Sequence, residues 1–252
     1  MGDSGLIWST KEIANWLQIL GVDRGVDQTY MIYLSARKKY CDSIDKTREC
    51  YRRTLCSQGS AEIMQTIREF EVGLKLDRDP VPMESVVCYM SINPRDLVRA
   101  GRETHEELYQ HLLKSRPEVF KMAVSRTHKL FLSKAQRYGK KDLLVIDLDV
   151  KSEYDRIRSK LRELEVTPLM VVETHGGYHI TITNESLKAN KEAAKYLYRE
   201  LNNEMFSSVN SLGEPIKKHV ADLHNNPFSA VPGCYQGGFK TRIIEIRGQY
   251  AP

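Results

Sequence analysis

The stretch Leu143-Leu144-Val145-Ile146-Asp147-Leu148-Asp149-Val150 constrains this chain more than any other. It is an apolar run that ends in two carboxylates two residues apart. In a β-strand, residues i and i+2 share a face. Leu143, Val145, Asp147 and Asp149 then lie on one side, and Leu144, Ile146, Leu148 and Val150 on the other. Both faces begin apolar, so the strand is expected to be central and covered on both sides. Side-by-side carboxylates at the end of such a strand repel unless a cation lies between them. Hard divalent metals take oxygen ligands and answer that need. The plainer alternative is a pair of solvated aspartates at a strand end.

The flanking pattern is mixed. Residues 1 to about 80 read as helical: Ser9-Thr10-Lys11-Glu12 is a capping box before Ile13, Trp16, Leu17 and Leu20, with Gly21 as a stop. Further helices are expected over 28–40 and 44–55, the latter with a basic face of Lys46, Arg48, Arg52 and Arg53, and Ser60 is expected to cap another. The polar, proline-containing segment 73–82 is the expected boundary. Beyond it come a strand at 85–92, helices over 103–114 and 117–138, the Asp-Leu-Asp strand, and a helix at 152–165. Strands at 169–174 and 179–182, a helix at 186–206 and strands at 218–222 and 241–246 complete the order. Irregular alternation of this kind predicts an α+β (mixed α/β) fold.

Two further stretches can carry chemistry. Gly176-Gly177 between strand-like runs signals a two-residue hairpin loop. That register sets Thr174 opposite His179, where the two could hold one anion, and glycine lets a phosphate approach the backbone. An ordinary polar hairpin is the alternative. In the tail, Asp222 follows a short apolar step, and Lys240, Arg242 and Arg247 lie on or beside the last strand. Such cations can neutralise a triphosphate or a nucleic-acid backbone, although surface charges of this kind are commonly just solvated.

In order, these segments resemble the archaeo-eukaryotic primase superfamily, the catalytic domains of primases and primase–polymerases. Val145-Ile146-Asp147-Leu148-Asp149 is similar to its first motif, Thr174-His175-Gly176-Gly177-Tyr178-His179 to its second and Val220-Ala221-Asp222 to its third. Val231-Pro232-Gly233 followed by Lys240 is similar to a later proline-glycine segment and lysine of the primase–polymerases. The likeness covers roughly residues 85–250.

The resemblance implies a catalytic core over residues 81–252, made of an RNA-recognition-motif-like palm and an adjoining α/β unit, after a helical region over 1–80. It implies a nucleotidyltransferase that adds NTPs or dNTPs to a 3′-hydroxyl on a nucleic-acid template. Asp147, Asp149 and Asp222 would bind Mg²⁺ or Mn²⁺, and His179 would contact the phosphates of the incoming nucleotide. Thr174, Gly177 and Lys240 would support it, with Arg242 and Arg247 added from position and charge. The pattern departs from the family at Ser229 and Ala230, where an arginine is common, and at Cys234, where Ser or Thr is.

Other classes use parts of this set. A DxD phosphatase of the haloacid-dehalogenase type wants Thr or Val where Lys151 stands. A DxD glycosyltransferase does not require the third aspartate. A two-histidine phosphoesterase needs a second His-x-Thr element. A catalytically inactive nucleic-acid-binding relative remains the non-enzyme alternative.

Bulk properties set outer limits. The 252 residues carry a net charge of +5, a weak pointer to polyanions. No apolar run reaches the roughly 18 residues of a membrane span, so no membrane partner is expected. The five cysteines include no C-x-x-C pair, so zinc is not expected. Their odd count without a secretory signal suggests reduced thiols in an intracellular, soluble protein of the cytoplasm or nucleoid. Residues 1–80 are expected to bind template or a replication or repair partner, or to buttress the core.

Overall fold

Two antiparallel sheets facing each other across a shared apolar core form the frame of the computed structural model. It describes residues 6–23, 28–40, 51–56, 59–73, 75–76, 79–114, 116–209, 215–224 and 227–250. In chain order the first half comprises α1 (Thr10–Leu20), β1 (Tyr30–Ala36), β2 (Tyr51–Cys56), α2 (Ser60–Glu69), β3 (Lys75–Leu76), β4 (Asp79–Pro80), β5 (Val86–Ser91), α3 (Leu97–Lys114), α4 (Pro117–Ser125) and α5 (Thr127–Arg137). The second half comprises β6 (Leu143–Leu148), α6 (Tyr154–Glu163), β7 (Met170–Glu173), β8 (Tyr178–Thr183), α7 (Asn184–Ala189), α8 (Lys191–Lys195), β9 (Met205–Val209), β10 (Pro215–His219), β11 (Ala221–His224), β12 (Phe228–Ala230), β13 (Tyr235–Gln236), β14 (Phe239–Lys240), β15 (Arg242–Ile246) and β16 (Gln249–Tyr250). The fold is α+β.

The first sheet runs β14-β13-β5-β1-β2, and β12 also pairs with β5. The second runs β11-β6-β8-β7-β15-β16. Within it, β6-α6-β7-β8-α7/α8-β11 has the connectivity of a β-α-β-β-α-β unit whose fourth strand lies beside the first, and whose third lies between first and second.

β6 is covered on both sides, as its two apolar faces predict. Leu144, Ile146 and Leu148 pack with Ile157, Leu161 and Leu197 of the helical layer. Val145 faces the other way and joins Trp16, Ile32, Met90 and Val172 between the sheets. Only half of the expected capping box of α1 is formed: Ser9 accepts the Glu12 N–H, while the Glu12 carboxylate accepts the Ile243 N–H and the Ser9 N–H goes to Gly233 O; Gly21 ends the helix at φ 68°. Ile13, Trp16 and Leu17 of that helix are fully buried.

Several expectations are corrected. Residues 28–40 are not a helix. Six of the seven residues of β1 are buried, so it shows no alternation, and a fully buried strand and a buried helix segment look alike in sequence. Residues 51–56 are β2, paired along β1; residues 41–50, with Lys46 and Arg48, lie outside the described residues. Residues 1–80 are therefore not a separate helical region. Ile32 lies opposite Met90, so β1 shares a sheet with β5, and a boundary at residue 80 would cut that sheet. Among its described residues, segment 73–82 holds the short β3–β4 pair.

Smaller differences have local causes. Gly59, not Ser60, caps α2, and Asp23 accepts the Ser60 N–H at 2.7 Å. The helix expected over 117–138 breaks at Arg126. The helix expected over 186–206 breaks at Asn190, which caps α8 by accepting the Ala193 N–H. Among the described residues no helix is long and apolar enough to cross a membrane.

Candidate active site

Directly opposed residues of neighbouring strands point to the same face, with Cβ atoms about 5 Å apart. Asp147 of β6 lies opposite Asp222 of β11 on one side and opposite His179 of β8 on the other. The three therefore form one row across the second sheet, on the face turned toward the first. Asp149 follows just past the end of β6, its N–H donated to the Val220 carbonyl at 3.2 Å. Asp147 Oδ1 is 3.4 Å from His179 Nε2, and its Oδ2 is 3.9 Å from Nε2 of His224, two residues beyond Asp222.

His179 is 6% exposed and held from the first sheet. The Ala230 N–H points at its Nδ1 at 3.3 Å, and Ser229 Oγ is 3.0 Å from the same atom. A backbone N–H only donates, so Nδ1 accepts and Nε2 carries the proton toward Asp147. The Ala230 N–H thus sets the tautomer of His179. Pro232-Gly233 serves the fold instead, since Gly233 O accepts the N–H groups of Trp8 and Ser9 and seats the start of α1.

The hairpin differs from its expected register. Glu173 and Tyr178 are the last pair, so the turn has four residues, Thr174 to Gly177. His179 lies opposite Val172, not Thr174. The cause is the Thr174 hydroxyl, which accepts the Gly177 N–H at 3.1 Å while the Thr174 N–H reaches Gly177 O at 2.9 Å. The Gly177 backbone lies against β6: a Cβ there would fall 1.7 Å from the Leu148 carbonyl oxygen. Gln236 braces the turn from the first sheet, accepting the His175 N–H at 2.8 Å and donating to the Tyr40 hydroxyl at 2.7 Å.

Residues of both sheets border a cavity of about 360 Å³; Asp222 is not among them. The second sheet contributes Asp147, Asp149, Thr174, Gly176, His179 and His224; the first contributes Tyr33, Arg37, Lys39, Tyr89, Phe228 and Gln236. Tyr33 stacks on Tyr89 at 5.1 Å and meets the edge of Phe228 at the same distance. One wall is thus acidic, the other aromatic and basic.

The carboxylates differ in charge preference. Burial pushes the Asp149 carboxyl above its ordinary value, the neighbouring charges of Asp147 and Asp222 push it further, and Lys39 offsets part of this. Burial acts on Asp147 in the same direction, but His179, His224 and Lys39 outweigh it and hold that carboxyl below its ordinary value. Asp147, Asp149 and Asp222 have the donor chemistry for a hard divalent cation, and the crowding at Asp149 is what such a cation relieves. Among the described residues no three Asp, Glu, His or Cys side chains are already gathered into a coordination shell.

The Asp149 shift predicts a stability effect. A carboxyl whose folded value lies above its unfolded value contributes stability below the unfolded value, and that contribution is lost as pH rises through the folded one. Asp149 therefore destabilises the metal-free fold at neutral pH. Asp149→Asn raises the Tm at pH 7 in chelator, and the gap to wild type narrows as pH falls toward 4. Thermal unfolding across that range reads it; a lower Tm for the variant at pH 7 contradicts it.

The expected cationic row lies elsewhere. Arg242 is on β15, three strand spacings or about 14 Å from β6, and its Nε is 2.8 Å from Glu173 Oε2. Lys240 is exposed, 5.3 Å from the Trp8 ring centroid and 5.9 Å from that of Tyr235. Arg247 lies in the β15–β16 turn beside Arg158 and Glu245, on a separate cavity. The cations bordering the site cavity are Arg37 and Lys39, just after β1. Reading 28–40 as a helix hides their direction. His224 is legible only as the residue two beyond Asp222.

Compared with family models, curated proteins and solved structures, the chain matches none.

Proposed function

We propose that this chain is a metal-dependent nucleotidyltransferase of the primase–polymerase kind, which adds NTPs or dNTPs to a 3′-hydroxyl on a nucleic-acid template. One observation carries this reading: Asp222, Asp147 and His179, far apart in sequence, stand in one cross-strand row, and Asp147 and His179 of that row, though not Asp222, border a cavity that basic and aromatic side chains of the first sheet also line. The β-α-β-β-α-β unit serves as the palm, and the first sheet with its helices as the adjoining unit.

In this reading Asp147, Asp149 and Asp222 hold two divalent cations, Mg²⁺ or Mn²⁺. When bound, such a pair supplies Lewis acidity at the attacking and leaving oxygens. The chain's own groups do the rest. With nucleotide bound, His179, its proton kept on Nε2 by the Ala230 N–H, turns that proton from Asp147 to a phosphate oxygen of the incoming nucleotide. Arg37 and Lys39 face the polyphosphate from the first sheet and neutralise it. Tyr33 and Phe228, each engaged on one side by Tyr89 and Arg95 respectively, line the part of the cavity where a base would stack. The 3′ oxygen bonds to the α-phosphorus, the bond from that phosphorus to the bridging oxygen breaks, pyrophosphate leaves, and the hydroxyl proton passes to solvent.

The experiment is incorporation of labelled nucleotides on primed and unprimed templates with Mg²⁺ or Mn²⁺, against an Asp147→Ala/Asp149→Ala control. Metal-dependent extension by wild type alone is expected. Equal incorporation by both proteins, or by neither under any metal, sinks the proposal.

A further inference from the structure

The arm formed by α3, α4 and α5 is only half used by the fold. Its base is anchored: Ala100, Leu132 and Ala135 pack with Met31 against the first sheet. Its far half is not. No residue of α4 is buried. Tyr109 is 52% exposed, Leu112 54%, Leu113 61% and Met122 52%. A groove of about 380 Å³ runs between the three helices, with Val119, Met122, Ala123 and Leu130 as its apolar lining and Arg126 and Lys129 among its charged residues. Glu107 also borders it, and its carboxylate is engaged by Lys134 at 2.7 Å.

Charge narrows the choice of occupant. Residues 97–137 hold nine Lys or Arg against four Glu, a surplus equal to the net charge of the whole chain. Lys114, Arg116, Lys121, Arg126 and Lys129 are all exposed. A basic surface alone suits nucleic acid. Exposed Leu and Met side chains beside an apolar groove are superfluous for phosphate contacts, but they suit a helix laid into the groove by its apolar face. We propose that this arm docks an acidic amphipathic helix of a partner protein, its apolar side on Val119, Met122 and Leu130 and its carboxylates toward Arg126 and Lys129. This inference is independent of the proposed chemistry.

The probes are fluorescein-labelled model peptides: a four-turn helix with leucines on one face and glutamates on the other, a scrambled peptide of the same composition, and a lysine counterpart of the helix. Labelled single- and double-stranded DNA oligonucleotides accompany them. Fluorescence anisotropy with the full chain is expected to rank the acidic helix at least about tenfold above the scrambled peptide and the lysine helix. Met122→Glu and Lys129→Glu, both at exposed positions, should each weaken it about tenfold with unchanged thermal unfolding. Lys129→Glu should improve binding of the lysine helix. No preference for the acidic helix over the scrambled peptide overturns the proposal. Loss of oligonucleotide binding in Lys129→Glu, with no acidic-peptide binding by wild type, overturns it in favour of nucleic acid.

Discussion

Asp147→Asn is expected to reduce template-directed nucleotide incorporation by on the order of 10³-fold, a loss of about 4 kcal/mol of transition-state stabilisation. Asp147 is the middle member of the row: Asp222 and His179 each lie directly opposite it, and His224 approaches its second oxygen. Asparagine keeps the shape and removes the charge, so the fold should survive. It removes the carboxylate shared between the proposed metal side and the His179 side. A single-turnover assay across Mg²⁺ and Mn²⁺ concentrations reads the loss, and raising the metal should not restore the rate. A variant within about tenfold of wild type shows that the row is not the reaction centre.

Gly177→Ala should act through the fold and the site together. The added methyl would stand 1.7 Å from the Leu148 carbonyl oxygen and 2.8 Å from its carbon, both backbone atoms, so no side chain can swing clear. Either the turn or the end of β6 must move, at a cost of about 3 kcal/mol, or on the order of 10 °C in Tm for a chain of this size. The displaced segment carries Asp149 and the last pair before His179, so incorporation should fall as well. Gly176→Ala is the internal control, since its Cβ would meet nothing within 4 Å. Equal Tm values for the two variants contradict the close approach.

The sequence reveals the second sheet better than the first. The strand ending in Asp147 and Asp149 is local, and its i, i+2 spacing is enough to set the two carboxylates on one face; Asp222 is legible only as a carboxylate after a short apolar step, and its place opposite Asp147 is a pairing of distant segments. What lies beyond local spacing is the pairing of distant segments. β1 is buried along its length, so its seven residues carry no period to separate strand from helix, and reading it as a helix hides Arg37 and Lys39. The hairpin loop is longer than its glycines suggest because the Thr174 hydroxyl bonds back to Gly177. Gln236, Ser229 and Ala230 carry no local signal at all; they matter because β12 and β13 join the first sheet and reach the second. Arg242 and Arg247 stand out by charge alone, and strand order sets them on the far side of β7.

The path of the last segment has a consequence for biosynthesis. After β11 the chain crosses to the first sheet for β12, β13 and β14, then returns as β15, where the Ile243 N–H is capped by Glu12 of α1, 231 residues away. A nascent chain that has not yet delivered β11 leaves β6 as an edge strand, with one side of its hydrogen-bonding groups open to other chains. The histidine also lacks its Ala230 partner until β12 arrives. Contacts of such long sequence separation form slowly, so one edge of the Asp147 strand stays open after β8 has paired with it, until residues 221–224 have been made.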